Sequence, residues 1–104
     1  MIDIFDSTEE TITAQMQHVA ERVKKRRLEL NLSQEGLAKR ADMPLPTYRL
    51  FEKTGKVSFR GLLQIAYALN CLQDFNQLFS QQQYESLDEM LLAKESSRKY
   101  GTKL

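Results

Sequence analysis

A chain of 104 residues with 41% apolar and 28% charged side chains has material for one compact core with extensions, not for two. No apolar run approaches the ~20 residues that a membrane-spanning helix needs. One cysteine and one histidine are too few for a metal site, and no nucleophile–base pair or nucleotide-binding pattern argues for an enzyme or a cofactor. The net charge of +1 conceals a division. Residues 1–21 carry five acids and no base, residues 22–60 eleven bases and four acids, residues 61–97 one base and five acids, and residues 98–104 three bases. The acidic opening MIDIFDSTEE lacks the charged-then-apolar layout of a signal peptide, so a cytoplasmic protein is expected.

In chain order the pattern predicts five helices and no strand. Helix 1 is expected to start near Ser7 or Thr8, where Ser7 and Glu10 have capping-box spacing, and to run to about Leu30. Ile12, Met16, Val19, Val23 and Leu30 then share one face. His18 sits mid-helix with no catalytic constellation around it, which favours a solvent or packing role. Ser33 is a good N-cap for a short second helix, Gln34 to Arg40, with Leu37 and Ala38 facing inward. Ala38 is small where a steeply crossing partner must approach closely. Gly36 in that helix costs about 1 kcal/mol relative to Ala; a close helix or phosphate approach would explain it, and so would neutral variation.

Asp42 then occupies a corner where a left-handed residue is tolerated. Pro44 and Pro46 fit only the entrance of a third helix, whose buried stripe is Tyr48 and Phe51. Lys53 to Val57 form a loop. Ser58 caps helix 4, which buries Leu62, Ile65, Ala66 and Leu69. Helix 5 covers roughly Gln73 to Phe79, and Cys71 before it reads as a small buried hydrophobe. Within residues 80–104, Ser86 to Lys94 offers a short amphipathic edge of Leu87, Met90 and Leu91. The tail with Arg98, Lys99 and Lys103 suits an arm that orders on contact.

Two short helices joined by a tight corner over residues 33–53 resemble the lambda-repressor-like helix-turn-helix of the Xre family. Gln34 opens the first helix, Ala38 is its small residue, and Met43 is the apolar residue of the turn. Tyr48 and Phe51 are the second helix's core pair, closed by Glu52. The similarity extends upstream to Val23 and Arg27 and downstream through Ser58–Leu69 and Phe75–Phe79. It implies a five-helix DNA-binding domain over residues 1–79, lengthened at its N-terminus by residues 7–21 and followed by the arm 80–104. The cationic block 22–60 coincides with this motif, as phosphate neutralisation requires.

The resemblance also assigns roles. Arg27 and Glu52 match positions that pair helix 1 with the end of helix 3. Gln34 matches a phosphate-binding position at a helix N-terminus, with Lys39, Arg40, Lys53 and Lys56 as further phosphate contacts. Leu45, Pro46, Arg49 and Leu50, with Thr47 nearby, match the outward positions that read base edges. Family members often have Gln, Ser, Asn or Arg there, whereas three of these are apolar. Only Arg49 can make a bidentate contact to guanine, while apolar side chains meet thymine methyls. The implied function is a sequence-specific transcriptional regulator, a repressor, acting on double-stranded DNA as a homodimer through Phe75, Leu78 and Phe79. The alternative is an antitoxin that represses its own operon and binds a co-encoded kinase, because the stretch from Phe51 to Phe79 also looks like small Xre proteins encoded beside HipA-type toxin kinases.

Overall fold

The fold follows from four α-helices and one 3-10 turn in a computed structural model that describes residues 4–82 and Leu91. They are α1 (Ile4–Glu29), α2 (Gln34–Arg40), α3 (Leu45–Thr54), α4 (Phe59–Ala68) and the turn Leu72–Gln77. Among the described residues there is no strand, and no helix is long and apolar enough to cross a membrane. The chain divides into two compact units, residues 1–74 and 75–104.

Helix α1 has neither glycine nor proline, and its bases Arg26 and Arg27 fall in the last turn, where the helix dipole favours them. It is already helical at Ile4, so Ser7 lies inside it and the Ser7–Glu10 pair is not its N-terminal cap. Among its described side chains Ala20 is buried and Val19 and Val23 are partly buried against the core, whereas Ile12 is 49% exposed. Leu30 lies past the end of the helix and is exposed.

The helix ends share one device. Asn31, Asp42 and Asn70 each have a left-handed backbone, with φ of 57°, 56° and 59°. After α1, the amide of Leu32 donates to the carbonyl of Arg27 and that of Asn31 to Leu28. After α2, Met43 donates to Ala38 and Asp42 to Lys39; after α4, Cys71 donates to Ala66 and Asn70 to Tyr67. These are Schellman closures, in which the left-handed residue turns two amides back onto the last free carbonyls. The start signals are equally local. Ser33 Oγ accepts from the amide of Gly36, and Ser58 Oγ from that of Gly61, each at 2.9 Å. Gly36 therefore lies in the first turn of α2. A Cβ there would meet only the side chains of Ser33 and Leu32, at 3.2 and 3.7 Å, so no close helix crossing explains it.

Packing runs α1 on α3, α3 on α2 and α2 on α4. The core is Ala20, Leu37, Ala38, Ala41, Tyr48, Phe51, Ile65 and Leu69. Tyr48 and Phe51 bring their rings to 6.2 Å between centroids, tilted by 54°; each fully buried aromatic of this size stabilises by about 1.5–3 kcal/mol. Cys71 is partly buried against this cluster, with Sγ donating to the carbonyl of Leu69 at 3.3 Å. His18 is exposed.

The helix expected over 73–79 is instead the 3-10 turn Leu72–Gln77, which buries none of its residues. A stretch this short, containing Asp74, Asn76 and two glutamines, cannot offset the cost of α-helix nucleation without an apolar face against the core. In the second unit Phe75 is partly buried, Leu78 is 52% exposed, and Phe79 is 97% exposed at a left-handed φ of 61°. The short helix expected over Ser86–Lys94 and the basic tail lie outside the described residues, apart from Leu91, which is exposed.

Candidate nucleic-acid interface

The corner between α2 and α3 is set from three sides. From α4, Gln64 Nε2 donates to the carbonyls of Ala41 and Asp42, at 3.0 and 3.2 Å, and so caps the end of α2. From α1, the backbone of Met16 comes so near the end of α3 that a Cβ on Gly55 would stand 2.6 Å from its carbonyl; Gly55 also has φ of 82°. Between them, the Arg27 guanidinium grips Glu52. Its Nε donates to Oε2 at 3.1 Å and its Nη2 to Oε1 at 2.8 Å, while Nη1 donates to the Leu32 carbonyl at 2.8 Å.

This fork-on-fork pair is buried, with side-chain exposures of 8% and 5%. It pins the end of α1 to the last turns of α3. Burial by itself pushes the Glu52 carboxyl up, but the hydrogen bonds and charge of Arg27, helped by the nearby Tyr48 hydroxyl, outweigh it and hold it below the usual carboxylate range. The hydrogen bond to Glu52 raises Arg27, against the opposing effect of desolvation. The Tyr48 hydroxyl lies beside the pair, close enough to be influenced by both charges but without a well-formed hydrogen bond to either. Burial, first, and the neighbouring carboxylate raise its pKa.

With the Glu52 charge compensated by Arg27, the exposed charges around the corner are mostly cationic. Lys39, Arg40, Arg49, Lys53 and Lys56 are all exposed, and among the described residues none of them is in an ion pair. The exposed acids of the same stretch are Glu35 and Asp42. Of the residues expected to read bases, Pro46, Thr47, Arg49 and Leu50 are exposed, Leu50 by 51%. Leu45 is not among them: it is partly buried and packs against the core from the first turn of α3. Gln34, expected at a phosphate, is partly buried, and its Oε1 accepts from Arg49 Nε at 3.3 Å.

Two contributors carried little signal in the sequence. Gln64 and the Met16–Gly55 contact depend on tertiary approach, which spacing cannot disclose. Asn31 and Asn70 did carry one, since asparagine just past an apolar helical run marks a left-handed cap. Among the described residues no group of His, Cys, Asp or Glu could hold a metal ion. No family model, curated protein or solved structure matches this chain.

Proposed function

We propose that the chain is a sequence-specific DNA-binding transcriptional regulator, a repressor, built on a lambda-repressor-like helix-turn-helix and acting as a homodimer. One observation carries the reading: α3 presents Pro46, Thr47, Arg49 and Leu50 outward among exposed cations while its single acid, Glu52, is withdrawn into the pair with Arg27. A helix meeting the major groove needs this arrangement, because an exposed carboxylate would be repelled by phosphate. In this reading Lys39, Arg40, Lys53 and Lys56 neutralise phosphates. Arg49 reads guanine, and Leu50 and Thr47 lie against thymine methyls. A single module of this size buries only about 600–1,000 Å² on DNA, so two copies are needed for tight binding, with recognition helices about 34 Å apart. The exposed Leu78 and Phe79, with Phe75, supply an apolar patch for the pairing.

Fluorescence anisotropy with duplexes selected from a random pool tests the assignment. Arg49→Ala is expected to cost about 1–3 kcal/mol on the selected site and to relax preference at one base pair. Lys39→Ala or Lys53→Ala weakens all sequences alike and flattens the salt slope by about one. Equal losses on selected and random DNA for Arg49→Ala would refute its role.

A further inference from the structure

The side chain of Gln34 bridges the two helices of the corner. It stands at the first residue of α2, and its Oε1 accepts from Nε of Arg49, in the middle of α3, at 3.3 Å. We propose that Gln34 is a positioning residue that aims Arg49, holding the guanidinium by its Nε so that the Nη1 and Nη2 fork is presented end-on to a base edge. The proposal deepens the DNA-binding reading and rests on it. It also takes Gln34 away from the phosphate and gives it to the specificity of the same site.

The chemistry of the two groups fixes the arrangement. Arginine offers donors only, so the carbonyl oxygen of the Gln34 amide must face it, and the amino group is thereby turned away. The nearby Gln34 amide also helps to hold the Glu52 carboxylate in its charged form. The amide is thus bonded to an exposed cation, Arg49, and acts on a buried anion, Glu52. The Arg27–Glu52 pair anchors Glu52 from below, so the order of the core is passed outward to an arginine that would otherwise sample many rotamers on an exposed surface. A glutamate in this place would bring a second negative charge near Glu52, whereas the glutamine amide is neutral. Using Nε in this way leaves the two terminal nitrogens, the pair that matches O6 and N7 of guanine.

The test compares Gln34→Met, which keeps length and shape but removes both hydrogen-bonding atoms, with Arg49→Ala and the double variant on the selected duplex and its single-base-pair variants. Expected is a loss of preference of about tenfold at the base pair read by Arg49 in each single variant. The double variant should lose no more preference than Arg49→Ala alone. A uniform loss on every sequence with the Arg49 preference intact would overturn the proposal and return Gln34 to a plain phosphate contact. A second readout needs no DNA. The Arg49 Nε–H resonance of the free protein should be ordered in the wild type and loosened in Gln34→Met, and equal order in both overturns the proposal as well. If no sequence is selected at all, the reading of function fails instead, and the resonance still decides whether Gln34 holds Arg49.

Discussion

At the scale of single residues, the buried pair of Arg27 and Glu52 is the most exacting feature of the chain. Removing one partner leaves the other charged and out of water, so Arg27→Met or Glu52→Leu alone should destabilise by about 3–5 kcal/mol in urea unfolding. The double variant, which leaves no stranded charge, should recover most of that loss. Additive losses would mean that the two side chains do not interact. The pair also sets a pH dependence. Folding lowers the Glu52 pKa from an ordinary value of 4.5, so its stabilising contribution is complete above that value and is lost as pH falls through the folded value. Melting temperature should therefore decline on acidification below about pH 4.5, with a shallower decline in Glu52→Gln. Gly55 is equally constrained: a Cβ would meet both its left-handed φ and the Met16 backbone. Gly55→Ala should cost about 2–4 kcal/mol, from the left-handed penalty together with overpacking. A thermal melt within a degree of wild type would show that α1 and α3 do not approach as closely as described.

At the scale of elements, the local grammar of each helix end decides what the sequence discloses. Helices α2, α3 and α4 begin where Ser33, Pro44 and Ser58 place them, and α2 ends at Asp42, because a cap or a proline acts within one turn of chain. The start of α1 was not legible from Ser7: capping-box spacing marks a possible start, but no breaker precedes it to enforce one. Residues 73–79 read as α-helical because Phe75, Leu78 and Phe79 have helical spacing. Spacing records a face and not what covers it, and without cover the segment closes into a 3-10 turn. In the candidate site the exposed Arg49 and Leu50 were legible from position alone, whereas Leu45 turns inward because the first turn of α3 abuts the core. The left-handed closures yield a direct test. Asp42→Ala should cost about 1 kcal/mol by chemical denaturation, since alanine has no side-chain oxygen to ease the left-handed backbone, while Asp42→Gly should match or exceed wild-type stability.

At the scale of the whole molecule, charge is distributed unevenly along the chain. The cations are concentrated in residues 22–60, and the exposed apolar residues of the second unit, Leu78 and Phe79, follow them. A homodimer formed through that patch should appear in light scattering at micromolar concentration. Leu78→Asp with Phe79→Asp should shift it to monomer and weaken DNA binding without changing which sequence is preferred; an unchanged mass would remove these residues from the interface. The central claim, sequence-specific recognition of duplex DNA, is tested most directly by selecting binders from a random duplex pool and titrating the winner against scrambled DNA over a salt series. The account predicts one enriched motif with two-fold symmetry, bound at least about 10³-fold more tightly than scrambled duplex. It also predicts a log–log salt slope of roughly −4 per protomer from Lys39, Arg40, Lys53 and Lys56. An unenriched pool, or equal affinity for selected and scrambled duplex at every salt concentration, would contradict it.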